Sequence, residues 1–137
     1  AGRPATYPEA TELAILKPSK MAPAAAHNRE SETMILLTVM YPNKEGSKFD
    51  LDYYMNSHLA MVGDRWGSMG LKGAKIVRGL ASGEPGEPPP YQIMAVVEFD
   101  SLESFQQAVE AHGDEIFGDV PNFTDLTPTV QISEIIS

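Results

Sequence analysis

The chain reads as an α+β domain with elements in the order β-α-β-β-α-β, and three patterns carry that reading. Two segments repeat apolar residues at helical spacing: Leu51, Tyr54, Met55, His58, Leu59 and Val62 in one, and Leu102, Phe105, Ala108, Val109 and His112 in the other. Four runs, at 34–41, 74–80, 91–99 and 128–136, have the length and apolar content of strands. Gly, Pro and Asn punctuate the joins between them. This order is the split βαβ, ferredoxin-like arrangement: a four-stranded antiparallel sheet with both helices on one face and the outer strands beside the inner two. A length of 137 residues suits one such domain.

The elements follow in turn. Residues 1–33 hold Pro4, Pro8, Pro18 and Pro23, an alanine-rich patch and no sustained periodicity, so they read as a Pro/Ala-rich arm preceding a domain at 34–137. The apolar run at 13–16 is expected to pack on the body or on a neighbouring subunit, and Met21 is a candidate native start. Strand 34–41 is ended by Pro42-Asn43. Asp50 suits the cap of a helix over 50–66, with Asp52 in its positive first turn. Gly67, Gly70 and Gly73 loosen the chain before the second strand. Residues 81–90, with Pro88-Pro89-Pro90, form a loop. Asp100-Ser101-Leu102-Glu103 resembles a capping box, and Gly113 is expected to end the second helix, with a further short helical turn over 114–120.

A sheet covered by helices on one side should alternate apolar and polar residues. The first strand does not: Met34, Leu36, Thr38 and Met40 share one face, and Ile35, Leu37, Val39 and Tyr41 the other. The third strand sets Ile93, Ala95 and Val97 against Met94 and Val96. Both faces are therefore expected to be buried, the second against the sheet of another copy in a homodimer. Such an interface buries at least ~1,200 Å².

Composition excludes several classes. All ten Lys and Arg lie at or before Arg78, and the net charge is -9. Nucleic acid and anionic membrane both need a positive footprint, so neither is an expected partner. No run reaches the ~18 apolar residues of a membrane span, and residues 1–30 lack a secretory signal pattern. Zero cysteines removes disulfides, thiolate catalysis and Cys-based metal sites, and fits a cytoplasmic protein. Three distant histidines form no ligand set, so no metal and no cofactor is expected.

In sequence, strand 34–41, the stretch Phe49-Asp50-Leu51-Asp52-Tyr53-Tyr54-Met55-Asn56-Ser57-His58, Trp66-Gly67, Gly70-Leu71-Lys72-Gly73, Val77-Arg78-Gly79-Leu80 and Pro88-Pro89-Pro90-Tyr91 resemble the EthD family, named for ethyl tert-butyl ether degradation. Phe99-Asp100-Ser101-Leu102, Ala111-His112-Gly113, Asp119-Val120-Pro121-Asn122-Phe123-Thr124 and Val130-Gln131-Ile132-Ser133-Glu134 continue the match, which spans about 34–134. The resemblance implies a dimeric α/β barrel of ferredoxin-like protomers, with a setting in aerobic breakdown of small organic or xenobiotic molecules. In the namesake system the protein accompanies a haem-thiolate monooxygenase. Related barrels include cofactor-free monooxygenases, lactone isomerases, dehydratases and haem enzymes.

His58 is the chief candidate for chemistry. It lies on the apolar stripe, where it is either a satisfied core histidine or an acid/base in a pocket. Position alone favours the first; Tyr54 one turn before it, and the Asn56-Ser57-His58 pattern of the resemblance, favour the second. Tyr54 offers a hydroxyl to a ligand or fills core, and Tyr53 falls off the stripe. Trp66, Arg78, Tyr91 and Phe123 are candidate substrate-binding residues, against plain packing or, for Arg78, an ion pair. His112 suits a helix end, and His27 has no role.

Two functions follow. One is proton-transfer chemistry on a small, largely apolar molecule, with His58 as acid or base and Tyr54 as orienter, in a pocket between helices and sheet closed by the proline-rich loop and Asn122-Phe123. The other is a non-catalytic accessory protein supporting a separate monooxygenase.

Overall fold

A computed structural model of the protein describes residues 33–137. The rest of the expected arm, including the run at 13–16, lies outside the described residues. Strand β1 (Ile35–Pro42) leads through a loop into helix α1, which runs without a break through Leu51–Tyr53, a π turn at Tyr54–His58 and Leu59–Trp66. Strands β2 (Leu71–Arg78) and β3 (Tyr91–Phe99), helix α2 (Leu102–Gly118), a 3-10 turn (Val120–Asn122) and strand β4 (Thr129–Glu134) complete the chain. The sheet order is β2-β3-β1-β4, and every neighbouring pair is antiparallel. The ferredoxin-like βαββαβ fold is present as expected.

Cross-strand register sorts the two faces. Leu37 opposes Val97 and Ile132, and Val39 opposes Ala95 and Val130. This face is the one the helices cover: Ile35, Leu37, Val39, Tyr41, Ile93, Ala95, Val97 and Phe99 are all buried. The opposite face pairs Thr38 with Val96 and Met40 with Met94, with Val77 also opposite Met94. These residues stay half-buried, and Val77 is 42% exposed. In the single chain, therefore, only one of the two apolar faces is fully buried.

Helix α2 differs from its expected length. It does not stop at Gly113 but runs on to Gly118, with Gly113 buried in its packed face. A glycine inside a helix costs about 1 kcal/mol relative to alanine. Burying Ile116 and Phe117 one turn later returns about 1.5–3 kcal/mol each, so continuation wins. His112 consequently sits within the helix, 4.0 Å from Glu115, and does not cap its end. Ser101 caps the start, its Oγ accepting the Ser104 N–H at 3.0 Å.

Strand β2 begins earlier than expected, at Leu71, with an irregularity between Leu71 and Gly73. Gly70 leads into it with a φ of +106°, a backbone state that side chains rarely adopt. A Cβ there would lie 2.7 Å from Ser104 Cβ and 2.9 Å from Asp100 Oδ1. The Gly70 carbonyl accepts the Asp100 N–H at 2.9 Å, which fastens β2 to the turn before α2.

Candidate functional site

The start of α1 is stitched to the segment after α2. Phe49 bridges Thr124, the Asp50 N–H donates to the Phe123 carbonyl at 2.7 Å, and Lys48 N–H donates to Asp125 Oδ1 at 2.9 Å. Asp50 then caps the helix as expected, its Oδ1 accepting from Tyr53 N–H at 3.1 Å. These ties place Asp119, the residue between α2 and the 3-10 turn, against the first two turns of α1.

Within α1 the hydrogen bonds widen to i→i+5: the Leu59 N–H reaches the Tyr54 carbonyl. On a regular α-helix a residue four places on is rotated by about 40°, so an i, i+4 pair drifts around the helix. The wider turn cancels that drift. The Tyr54 and His58 rings lie nearly parallel, 16° between planes and 5.4 Å between centroids. Met55, a residue of the expected apolar stripe, is 45% exposed while still reaching the rim of the cavity beneath the helix. The buried positions are Tyr54, His58, Val62 and Trp66.

His58 is 6% exposed, and its Nδ1 lies 2.9 Å from Asp119 Oδ2. The other carboxylate oxygen, Oδ1, accepts from the Tyr53 hydroxyl and from the Asn122 amide, each at 2.8 Å. Burial acts to raise the Asp119 pKa, but the donors Asn122, His58 and Tyr53 together outweigh it and hold the carboxyl below its ordinary value. Burial lowers the His58 pKa, against the opposing pull of Asp119. At neutral pH the pair is thus a carboxylate and an uncharged imidazole. The Nδ1–H donates to Asp119, and Nε2 keeps its lone pair. The Phe123 ring packs against the imidazole at 4.8 Å.

A cavity of about 440 Å³ opens beneath α1. Its floor is the helix-facing side of the sheet, with Leu37, Val39 and Tyr41 from β1 and Ala95 and Val97 from β3. Leu71, Ala74 and Ile76 form the β2 side, and Ile116, Phe117 and Val120 close the far end. Tyr54, His58, Val62 and Trp66 hang from the roof. The Trp66 Nε1–H is already donated to the Ala108 carbonyl at 2.9 Å, so its indole serves as wall and as a tie between helices. Burial raises the pKa of both Tyr41 and Tyr54, which keeps their hydroxyls protonated. Among the described residues no group of three or more His, Cys, Asp or Glu side chains is placed to hold a metal ion.

The structure thus brings together His58, Tyr54 and Trp66 of the expected set. Phe123 is buried behind the imidazole and does not line the cavity. Arg78 is exposed at the end of β2, on the helix-facing side opposite Ile93 but beyond the cavity wall, and makes no ion pair among the described residues. Tyr91, at the start of β3, is also outside the lining. Nor does the proline-rich loop close the cavity: Asn43 binds the carbonyls of Pro89 and Pro90, which pins that loop beside the end of β1. The orienter of His58 by hydrogen bond is Asp119, while Tyr54 stacks on the ring. Tyr53 is half-buried and holds Asp119 through its hydroxyl. Asp119 and Tyr41 complete the site and were not singled out from the sequence; Asn122, expected to help close the pocket, lies outside the lining and holds Asp119 instead. The sequence signal for Asp119 is the Asp119-Val120-Pro121-Asn122-Phe123 run, and for Tyr41 its place on one face of the first strand; neither names a role.

No protein-family model matches the chain, and no curated protein matches it in sequence. Solved structures do. An EthD-like protein from Ralstonia eutropha JMP134 is 40% identical, with 77% of this chain and 95% of that chain covered and a TM-score of 0.71. An ethyl tert-butyl ether degradation (EthD) family protein from Bacillus halodurans C-125 is 22% identical, with 75% and 99% covered and a TM-score of 0.51. A cofactor-independent oxygenase from Streptomyces nogalater shares the fold at 10% identity, with 77% and 95% covered and a TM-score of 0.50.

Proposed function

Because this chain belongs to the EthD family, we propose that its cavity takes up a small, largely apolar organic molecule and that His58 moves a proton on it. One observation carries the reading. An uncharged imidazole, fixed by a 2.9 Å bond to a carboxylate, lines an otherwise apolar chamber. That is the form and setting of a general base poised near neutral pH.

The chemistry follows from the placement of atoms. His58 Nε2 accepts a proton from an activated C–H bond of the bound molecule. The imidazolium that forms is stabilised by Asp119, whose charge is kept in place by Tyr53 and Asn122. Apolar walls keep water from the carbanion. Return of the proton to another carbon gives isomerisation; its transfer from the imidazolium to a neighbouring hydroxyl, which leaves as water while the carbanion pair forms a C=C bond, gives dehydration; reaction of the carbanion with dioxygen gives oxygenation. None of the three routes asks the chain for a cofactor.

The lining also favours a second reading. Apart from His58 and two tyrosines it is apolar, so it holds a guest by shape more than by chemistry. A protein of that kind binds without turnover and serves a separate haem-thiolate monooxygenase. In both readings the working form is a homodimer, in which the uncovered sheet face of Met40, Val77, Met94 and Val96 meets its copy. Both put the protein in the cytoplasm, where small-molecule catabolism takes place; no helix among the described residues is long and apolar enough to cross a membrane.

The test is hydrogen–deuterium exchange at activated C–H bonds of small ketones and hydroxyarenes in heavy water, followed by proton NMR. The purified protein is expected to catalyse exchange, and His58→Ala, still folded by circular dichroism, to lose at least ten-fold of that rate, a typical general-base contribution being about 100-fold or more. Equal rates in the two proteins would remove His58 from the chemistry. Turnover that begins only when an oxygenase is added would transfer the site to the accessory reading.

A further inference from the structure

Buried tyrosine hydroxyls ordinarily find a hydrogen-bond partner, because an unpaired one loses its solvation for nothing. Two tyrosines of this cavity have none from the fold, and their hydroxyls open into the chamber rather than lying sealed in the core. Tyr41 and Tyr54 are each 1% exposed, both line the chamber, and neither hydroxyl has a partner among the described residues. Their rings meet edge to face at 6.1 Å, from β1 and α1 respectively. Each ring is itself held fast: Tyr41 and Tyr54 pack with Phe49 and Phe123 in one aromatic cluster, with centroids 5.0–6.1 Å apart. The donors are therefore pre-positioned, while the atom they are to serve is not supplied by the fold. The Tyr54 ring also stacks on the His58 imidazole at 5.4 Å, so the tyrosine pair stands at the His58 end of the chamber.

We propose that Tyr41 and Tyr54 form a two-donor site for a single uncharged oxygen acceptor, so that the ligand of this cavity is a neutral, enolisable ketone or its enol. The inference rests on the His58 reading and specifies its substrate class. The lining contains no Lys or Arg, and Asp119 stands close behind the imidazole, so a carboxylate or phosphate ligand meets no countercharge and one repelling charge. A neutral carbonyl needs none. As His58 Nε2 draws the proton from the carbon beside that carbonyl, the C–H electron pair moves into a new C=C bond. The C=O π pair then moves onto oxygen, where the two phenol hydroxyls meet the growing negative charge. No oxidant or further reactant enters this step.

The experiment uses three bicyclic ligands of nearly one shape: β-tetralone, a neutral enolisable ketone; tetralin, which lacks the oxygen; and β-naphthoate, an anion. The full chain is expected to bind β-tetralone more tightly than tetralin and to leave β-naphthoate unbound by calorimetry. Tyr41→Phe and Tyr54→Phe should each weaken β-tetralone about two- to ten-fold and leave tetralin unchanged. Each variant should melt no lower than the parent, because no internal hydrogen bond is lost. The bound ketone should show its carbonyl infrared band below its position in cyclohexane, a readout that needs no variant. Failure of β-tetralone to bind, tighter binding of β-naphthoate, an unshifted carbonyl band, or a fall in stability on Tyr→Phe each overturns the proposal. Tyrosine-dependent binding without exchange in the His58 assay would sink the base and leave the donors standing; exchange indifferent to both Tyr→Phe changes would do the reverse.

Discussion

The two helices lie side by side on the same sheet, yet they are built for different work. Helix α2 is regular throughout its 17 residues, is capped by Ser101, and buries Phe105, Ala108, Val109, Gly113, Ile116 and Phe117 along one continuous stripe. Helix α1 widens into a π turn partway along and buries only Tyr54, His58, Val62 and Trp66. Three of those four carry a polar atom. The cavity lies beneath α1, whose buried residues from Tyr54 to Trp66 form its roof. One helix fills space; the other stands off from the sheet and equips the gap. The lesson is that a ferredoxin-like sheet can be stabilised chiefly from one helix, which frees the second to hold the unpaired Tyr54 hydroxyl and a buried imidazole.

The largest expected effect tests the supporting half. Phe105→Ala removes a fully buried ring from α2 and should cost about 3–5 kcal/mol of unfolding free energy in a urea titration. A loss near that of an exposed site would show that α2 is not the anchor. The next effect belongs to α1 and depends on pH. The folded His58 pKa is below its unfolded value, so the unfolded chain binds the extra proton first. Stability is then full above about pH 6.5 and falls as pH drops through that value towards the folded pKa. Asp119, whose folded pKa is also lowered, adds a loss only below its ordinary 3.8. His58→Gln should flatten the upper window and narrow the lower one without removing it, since Asn122 and Tyr53 still hold Asp119, as followed by melting temperature against pH; an unchanged slope above pH 4.5 would mean the imidazole is not the group. The smallest effect is at Met55, which is 45% exposed at the edge of the cavity: Met55→Ala should shift stability by no more than about 0.5 kcal/mol. A core-sized penalty there would return α1 to a regular stripe, or reveal a partner copy that covers it.

How much of this could be read from residues alone divides along the same line. Element order, strand pairing class and both helix starts follow from short-range pattern: alternation in the strands, the caps Asp50 and Ser101, the apolar stripes. Periodicity also put Tyr54 and His58 on the inward face of α1. It could not reveal the π turn, because Met55 has the right character and spacing for the stripe and only the backbone shows the slip. Gly113 misled for a comparable reason. It resembles a stop signal, and what overrides it is tertiary burial of Ile116 and Phe117, which no local rule measures. Asp119 was illegible in a stronger sense. It lies 61 residues from His58 and meets it only because the Asp50–Phe123 and Phe49–Thr124 contacts draw two distant segments together. Arg78 shows the opposite failure: its strand parity was right, but parity says nothing of how far along the strand a cavity extends.

Gly70 touches neither imidazole nor tyrosine, yet its lack of a side chain decides where the β2 wall of the chamber stands. With room for one hydrogen and no more, the position should tolerate no exchange in a saturation library and score beside His58. Ranking by intolerance alone would enrol it among the working groups. Its contribution is clearance, and the ligand never meets it.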